Sequence, residues 1–382
     1  MKVLADANLL MSEGDLPAGM TLQRMDGRKI DAALLHDADV LLVRSITRVD
    51  EALLKDSDVK FVGTATSGTD HLDLEYLTGR GIECCSAPGS NADAVADYCL
   101  AAIAFAVEQL DLAFGELPVG IVGAGNVGGR LASRLAALDC PLLINDPPLE
   151  QSGVSEIAGH TLSSLDSLTS CQVLSLHVPL RREGEHPTLD LIDREFIKAL
   201  PDSCLLINTC RAEVISAEAL TDAIHKENLY TAIDVWRNEP DVDAALVKAT
   251  TLATPHIAGY STRAKRNGAL QVLTQLRNFA IEQGFISEDS EQLPDTDGME
   301  PFLMDADPDV SHWQMLETVL PLKRISEQFK KTLAAHHRSN SFDQMRKAMQ
   351  QRKEFSEHWF SAENLADDKQ ETYQALGFQV LR

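Results

Sequence analysis

The sequence has few basic side chains for its length. In 382 residues, 34 lysines and arginines stand against 58 aspartates and glutamates, a formal net charge of −24. So acidic a surface repels nucleic acid and anionic lipid, and we expect neither nucleic acid nor a membrane as a partner. It also repels small anionic substrates, which must therefore meet locally placed arginines. The simpler explanation of the acidity, which we favour, is that it serves solubility alone.

Long apolar runs and paired cysteine motifs are also missing. No apolar run approaches the ~18 residues of a membrane span, and the first segment, MKVLADANLL, is typical of a strand and not of a signal peptide. The seven cysteines are an odd number without a C-x-x-C pair. This favours reduced thiols and neither a zinc site nor a disulfide framework. We expect a cytoplasmic protein with no bound metal.

Short apolar segments alternate with helix-like segments from the start of the chain. KVLAD, DVLLVRS, KFVGTAT and IECCSAP are strand-like, and a helix in TRVDEALLKDS is expected to begin at a Thr47 cap. The helix expected over 91–109 is apolar along most of its length, as in a helix buried between domains or subunits. Further strands are expected at PLLIND, CQVLSLHVPL, SCLLINTC and LYTAIDVW. The alternation predicts parallel sheets covered on both faces.

A glycine motif lies between one of these strands and a helix. Gly123, Gly125 and Gly128 form G-x-G-x-x-G directly after the apolar run LPVGIV. There they permit a tight turn, close approach of a pyrophosphate and packing of helix on strand. Asp146 ends the next strand, where a carboxylate accepts hydrogen bonds from both ribose hydroxyls and repels a 2′-phosphate. A turn-forming aspartate before Pro147 is the alternative, but the whole order predicts NAD binding.

Three polar residues follow successive predicted strands. Arg211 follows LLINTC, Glu239 follows AIDVWRN and His256 follows TLATP, and ligands of open α/β sheets bind beyond the carboxyl ends of strands. Each has a simpler alternative: a surface arginine, a helix-capping glutamate, a structural histidine. Together they predict hydride transfer beside a carboxylate. The histidine would move the hydroxyl proton, the glutamate would hold the imidazole, and the arginine would bind the carboxylate through two hydrogen bonds.

Several motifs resemble the D-isomer-specific 2-hydroxyacid dehydrogenases over roughly residues 1–285. They are NTCRAEVI, DVWRNEP, ATPHIAGYS, GIVGAGNVG and LHVPL. VRSITRV, GTATSGTDHLD and the additional C-terminal region are similar to members of that family that act on a small phosphorylated hydroxy acid. The resemblance implies NAD as cofactor and a homodimer formed through the C-terminal domain. The chain departs from the family pattern at Ala212, where glycine is usual, and at Ser216, where aspartate is common.

The resemblance also implies individual contacts. Residues expected to contact NAD, besides the glycines, are Asn126, Val127, Asp146, Ser175, Asp234 and Gly259. Residues expected to contact the substrate are Ser45, Thr66 and Tyr260, with the backbone of Ser67 and Gly68 near its carboxylate. Arg44, at the end of DVLLVRS, is expected on chemical grounds to bind the phosphate if the domains close over NAD. A salt bridge between Arg44 and a surface carboxylate is the alternative.

We therefore predict an α/β protein with two Rossmann-like or flavodoxin-like, doubly wound parallel-sheet domains and a small C-terminal α+β dimerisation domain. The expected division is 1–92 with 258–285 for substrate, 93–257 for NAD, and 286–382 for dimerisation. The acidic stretch 287–309 is expected to be a linker or an irregular surface segment, and His336 and His337 to be solvated.

The tail has little core of its own, so Leu316, Val319, Leu320 and Phe329 are expected to pack against a second copy. Two other functions stay open at this point. One is dehydrogenation of another small hydroxy acid such as phosphoglycerate. The other is a non-catalytic NAD-sensing protein on this fold.

Overall fold

The structure, a computed structural model, describes residues 1–110, 112, 114–115, 118–226, 229–287, 302–304, 307, 309–335, 338–349 and 351–381. Most of the predicted acidic linker, and the histidine pair at 336 and 337, lie outside these residues.

The strands and helices are defined as follows. The strands are β1 Lys2–Asp6, β2 Thr21–Met25, β3 Val40–Val43, β4 Phe61–Thr64, β5 Glu83–Cys85, β6 Val119–Val122, β7 Leu142–Asn145, β8 Glu156–Ile157, β9 His160–Thr161, β10 Val173–Leu176, β11 Leu205–Asn208, β12 Tyr230–Ile233, β13 Leu252–Ala253, β14 Phe302–Met304, β15 His358–Ser361 and β16 Gln379–Leu381. The α-helices are α1 Glu51–Leu54, α2 Leu74–Gly79, α3 Ala92–Leu110, α4 Asn126–Ala136, α5 Pro147–Gln151, α6 Arg194–Ala199, α7 Ala217–His225, α8 Ala244–Ala249, α9 Thr262–Glu282, α10 His312–Val319, α11 Leu322–Ala335, α12 Arg338–Ala348 and α13 Asp367–Ala375.

The first compact unit comprises Met1–Asn91 and Thr262–Met299. Its parallel sheet has the order β2-β1-β3-β4-β5. The central strands β3 and β4 are buried at every position, as expected of strands covered on both faces. Helix α9 packs closely on β4, where a Cβ at Gly63 would collide with Val272. Glycine is therefore required for that approach.

Two local features of this unit differ from the sequence-based expectation. Strand β2, with the sequence TLQRM, was not predicted because it is largely exposed and carries no apolar run. The predicted Thr47 cap is wrong, since α1 begins at Glu51 and Asp50 accepts the hydrogen bond from the Leu53 amide. The Thr47 hydroxyl is buried and donates instead to the Gly27 carbonyl at 2.9 Å.

The second compact unit comprises Ala92–Ser261 and Glu300–Arg382. Its parallel sheet has the order β13-β12-β11-β10-β6-β7. From β6 the chain first goes to β7 on one side and later to β10 on the other, so the strand order reverses at β6. Such a reversal places a ligand-binding crevice at the carboxyl ends of these strands, an edge that we call the carboxyl edge.

The C-terminal residues of this unit form a small parallel sheet, β14-β15-β16, with α10 to α13. Helix α10 packs on α3, and α11 packs on β13 and α8. Leu316, Leu320 and Phe329 are buried in these contacts, with Val319 packed against the same core. The expectation that these residues need a second copy for burial is therefore wrong, because α3 and the main sheet already cover them.

The predicted fold class is confirmed: two doubly wound parallel sheets and a small C-terminal sheet account for the strands of the described residues, apart from the short β8–β9 hairpin. The three predicted domain boundaries stay a prediction. Among the described residues no helix combines the length and the apolar character needed to cross a membrane.

Candidate active site

The glycine motif forms the turn between β6 and α4. Gly123 has a φ of 86°, and a Cβ there would lie 2.8 Å from the His177 carbonyl oxygen. A Cβ on Gly128 would collide with the Gly123 carbonyl, whereas Gly125 faces open space. Gly125 is also the N-cap of α4 and has no side chain to accept from the first-turn amides. Those amides, which include exposed Asn126 and half-buried Val127, suit an anionic group such as a pyrophosphate.

Asp146 lies at the end of β7, next to this turn. One carboxylate oxygen accepts from the Ala124 amide at 2.8 Å, and the other accepts from the Leu149 amide at 3.1 Å. An open cleft of about 670 Å³ adjoins the turn and is lined by Gly125, Asn126 and Arg130, among others. The pyrophosphate of NAD requires space and backbone amides, and its ribose requires a carboxylate at the end of the second strand. The residues of this chain provide all three and therefore fit the cofactor.

His256 and Glu239 form a pair at the carboxyl edge. The imidazole Nδ1 lies 2.7 Å from a Glu239 carboxylate oxygen, and the other oxygen accepts from the Trp236 amide at 2.8 Å. Burial alone would raise the pKa of Glu239. The charge and hydrogen bond of His256, the Trp236 amide and the charge of Arg346 outweigh burial and lower this pKa. An ionised glutamate at Nδ1 keeps a proton on that nitrogen and leaves Nε2 as the acceptor.

The loop that carries His256 is held by a buried carboxylate. Asp234 is fully buried and accepts from the Ile257 and Ala258 amides at 2.7 and 2.9 Å, and from the Thr254 hydroxyl at 2.7 Å. Burial raises the pKa of Asp234, although each of these donors opposes that rise. His256 itself has a φ of 55°, a left-handed conformation that costs a residue with a Cβ about 1–2 kcal/mol. The hydrogen bonds to Asp234 hold the loop in that conformation. Half-buried Gly259 and Tyr260 follow in the same loop.

Arg211 and Ser175 lie on the neighbouring strands of the same sheet. Arg211 follows β11, is half-buried, and donates from Nη1 to the Cys210 carbonyl at 2.8 Å. Since β11, β12 and β13 are adjacent, Arg211, Glu239 and His256 all follow strands that end at one edge. Ser175 on β10 is fully buried, with its hydroxyl 2.9 Å from Nε2 of His177. Burial lowers the pKa of His177 to about 3, so this histidine is neutral.

In the first unit, the predicted substrate residues also follow neighbouring strands. Exposed Ser45 comes after β3, and half-buried Thr66 comes after β4. The Thr66 hydroxyl lies 2.8 Å from the Thr64 hydroxyl and donates to the Gly68 carbonyl at 2.9 Å. Ser67 donates to the Ala87 carbonyl at 3.2 Å. These bonds hold the loop after β4 in a defined conformation.

Arg44 is engaged within the first unit. Its Nε donates to a carboxylate oxygen of Asp6 at 2.9 Å, and one of its Nη atoms lies 3.4 Å from the other oxygen. Asp6 is fully buried, so this is an internal ion pair and not the surface salt bridge that the sequence left as the alternative. Removing Arg44 would leave a buried carboxylate without its cation. The predicted phosphate contact of Arg44 stays a prediction.

Sequence reasoning missed the C-terminal residues that hold the histidine loop. Arg352 is buried and donates from one Nη to the carbonyls of Ala94 and Ala258, at 3.0 and 2.7 Å. Glu354, also buried, accepts from the Ser261 hydroxyl. Arg352 is 94 residues from Ala258 and 258 from Ala94. No local pattern in the tail could have indicated these contacts.

Comparison with known proteins connects this geometry with a family. The family model described as "D-isomer specific 2-hydroxyacid dehydrogenase, NAD binding domain" matches residues 109–258. The chain is 36% identical to erythronate-4-phosphate dehydrogenase of Hahella chejuensis, over 100% of this chain and 99% of the relative. It is 44% identical to the enzyme of that name from Salinibacter ruber, over 70% and 69%.

Solved structures of the same fold are more distant. The NAD⁺-bound 3-phosphoglycerate dehydrogenase of Entamoeba histolytica matches 76% of this chain and 98% of its own, with a TM-score of 0.61 and 23% identity. At that identity the likeness concerns the fold alone. The assignment depends on the relatives named erythronate-4-phosphate dehydrogenase, one of which matches along nearly the whole length. The chain therefore belongs to the erythronate-4-phosphate dehydrogenases, within the D-isomer-specific 2-hydroxyacid dehydrogenases.

Proposed function

We propose that this chain catalyses the NAD-dependent oxidation of 4-phospho-D-erythronate to (R)-3-hydroxy-2-oxo-4-phosphobutanoate, a step of pyridoxal 5′-phosphate (vitamin B6) biosynthesis. The family relationship supports the substrate. The observation that carries the chemistry is the pair formed by His256 and Glu239 at 2.7 Å, on the sheet that also carries the glycine turn. The chain is accordingly an NAD-dependent oxidoreductase.

In this reaction His256 is the general base. When bound, NAD supplies the acceptor for the hydride that leaves C2 of the substrate. Nε2 of His256 takes the proton of the C2 hydroxyl as the carbonyl forms, and returns it in the reverse direction. Glu239 stabilises the resulting imidazolium through Nδ1, and the Trp236 amide keeps the carboxylate in place. The imidazole is thereby presented in the tautomer that the base needs.

We assign the anionic groups of the substrate to arginines. Arg211 binds the carboxylate through paired hydrogen bonds and polarises the neighbouring carbonyl. In the first unit, Ser45, Thr66 and the backbone of Ser67 and Gly68 contact the substrate, and Tyr260 does so from the histidine loop. The NAD contacts assigned to Asn126, Val127, Asp146, Ser175, Asp234 and Gly259 belong to the same proposal.

We also propose the division into residues 1–92 with 258–285 for substrate, 93–257 for NAD and 286–382 for dimerisation. Two residues on β14 support a homodimer. Phe302 and Leu303 are 51% and 67% exposed, and β14 is an outer strand of the small sheet. Exposed apolar residues on such a strand favour pairing with another chain. Phe302→Lys together with Leu303→Lys should then give monomers in light scattering. An unchanged dimer would mean that the interface lies elsewhere.

A cytoplasmic location is supported by the seven cysteines, all of which are free thiols.

The test of the function is a substrate panel with a matched pair of variants. NADH formation is measured with 4-phospho-D-erythronate, D-erythronate, 3-phospho-D-glycerate and D-lactate. His256→Ala should lower turnover on the first by about 10²–10⁴-fold while NAD still binds. The control is His225→Ala, since His225 is exposed on α7. If the enzyme preferred another acid of the panel, the assignment of the substrate would be refuted. If His256→Ala kept near-normal turnover, the role of His256 as general base would be refuted.

A further inference from the structure

Arg346, on helix α12 of the tail, lies beside the histidine loop. Helix α12 is anchored by Phe342 and Met345, which are 1% and 6% exposed, and the Phe342 ring packs edge-on against Phe329 of α11 at 5.9 Å. Residues at i, i+3 and i+4 share one face of a helix, so Arg346 lies on the anchored face. Its guanidinium carbon is 5.2 Å from the ring centre of Tyr260 and 6.0 Å from that of Phe342.

One donor of the Arg346 guanidinium has no acceptor among the described residues. Its Nε is buried and has no hydrogen-bond partner among the described residues. The ion pairs of the same residues do not include Arg346, although acidic residues outnumber basic ones in the chain by 58 to 34, and its charge acts on Glu239 only at a distance. A buried charged donor without an acceptor is costly, and such groups call for an explanation such as a bound ion. The ring contacts hold the cation in place but do not accept its N–H groups.

Arg346 is also electrostatically part of the site. Burial raises the pKa of Glu239, and His256 has the largest opposing effect. The charge of Arg346 also lowers this pKa, by a smaller amount. Tyr260, which the guanidinium covers, lies four residues after His256 in the same loop. An anion held by Arg346 would therefore lie close to the proposed base.

We propose that Arg346 and Tyr260 form a binding subsite for the phosphate of the substrate, so that helix α12 of the tail supplies a specificity determinant of the reaction. The inference rests on the proposed function. The substrate carries two anionic groups, and Arg211 is assigned to the carboxylate. Arg44, expected from the sequence to bind the phosphate, already donates Nε to Asp6, whereas Nε of Arg346 has no acceptor among the described residues.

The kinetic experiment compares Arg346→Met, Arg346→Lys and the control Lys347→Met in the full-length protein. Lys347 is the exposed neighbour on the same helix, so its variant removes the same charge away from the subsite. kcat/KM is measured with 4-phospho-D-erythronate and with D-erythronate. Charge-assisted hydrogen bonds correspond to roughly tenfold to a hundredfold in affinity. Arg346→Met should lose about that factor with the phosphorylated acid and less than about threefold with the other, while Lys347→Met matches wild type with both.

Arg346→Lys should recover part of the loss, because it restores the charge without the planar pair of donors. Equal losses with both acids would overturn the proposal, since Arg346 would then only position Tyr260 and Glu239. Unchanged kinetics would overturn it as well. NAD affinity and the thermal midpoint of each variant show whether the fold is intact.

A second measurement separates failure of this inference from failure of the proposed function. Inorganic phosphate should raise the thermal midpoint of the wild type above that in potassium chloride of equal ionic strength, and should not do so in Arg346→Met. If the wild type oxidises neither acid but keeps this difference, the proposed function fails and the anion subsite stands. If phosphate protects both proteins equally, or neither, the subsite is refuted.

Discussion

Glu354 makes stability depend on pH in a direction opposite to that of most carboxylates. Burial and the nearby charge of Asp97 raise its pKa to about 7, although the Ser261 hydroxyl and the charge of Arg352 oppose the rise. A carboxyl whose pKa is higher in the folded chain stabilises the fold most below its ordinary pKa of 4.5, and that contribution is lost as the pH rises through 7. Between 4.5 and about 7 the loss amounts to roughly 3 kcal/mol at most.

The perturbation that isolates this effect is Glu354→Gln, which keeps the shape and stays neutral at all pH values. The free energy of unfolding of wild type and variant is measured in urea at pH 5, 6, 7 and 8.5. The difference, variant minus wild type, should grow by about 2–3 kcal/mol over that range, because only the wild type has to ionise a buried acid. Titrating groups that do not interact with Glu354 cancel in the difference, whereas Asp97, whose charge acts on Glu354, does not cancel fully.

The control is Glu371→Gln, since Glu371 is exposed on α13, and its difference from wild type should not change with pH. A constant difference for Glu354→Gln as well would refute the argument. Glu354 would then be ionised in the fold at pH 5, with Arg352 compensating its charge.

Four further predictions concern the cofactor turn, the base and the tail. Glu239→Gln should change the pH profile of kcat/KM, since the imidazolium formed during the reaction loses its carboxylate partner; an unchanged profile counts against the pair. Asp146→Ala should weaken NAD binding in a fluorescence titration and reduce the preference of the enzyme for NAD over NADP. If the wild type already used NADP as well as NAD, the role of Asp146 would be disproved. Gly128→Ala should abolish measurable NAD binding and lower stability by about 1–3 kcal/mol, because its Cβ meets the Gly123 carbonyl; normal NAD affinity would contradict this. Phe329→Ala should cost about 3–5 kcal/mol in chemical unfolding, since the ring is fully buried; a loss below about 1 kcal/mol would show that the tail does not pack as described.

Features that depend on local chemistry could be predicted from the sequence. Central strands such as β3 and β11 are short runs rich in Val, Leu and Ile, because a strand covered on two faces cannot alternate between apolar and polar residues. The glycine turn and Asp146 follow from backbone sterics and hydrogen bonding at one strand–turn–helix unit. The grouping of Arg211, Glu239 and His256 followed from topology, since residues after adjacent parallel strands end at one edge.

Features that depend on partners far apart in the sequence were decided by the tertiary structure alone. An apolar pattern reports that a residue is buried but not what covers it, so Leu316 and Phe329 were assigned to a second copy although α3 and the main sheet cover them. The ion pair between Arg44 and Asp6 joins residues 38 apart, and the position of Arg346 over Tyr260 depends on how α12 packs on α11.

By itself, then, the sequence determined the fold class and the cofactor, and it indicated the residues that we propose to move the proton, because each is recorded in a short segment and strand topology brings those segments to one edge. The tertiary structure engaged Arg44 with Asp6 and left Nε of Arg346 without an acceptor among the described residues. It also attached the tail to the histidine loop through Arg352 and Glu354. These are pairings across 94 and 93 residues. They form because a buried charged group needs hydrogen-bond partners to offset the cost of its desolvation, and no local periodicity records which distant residue supplies them.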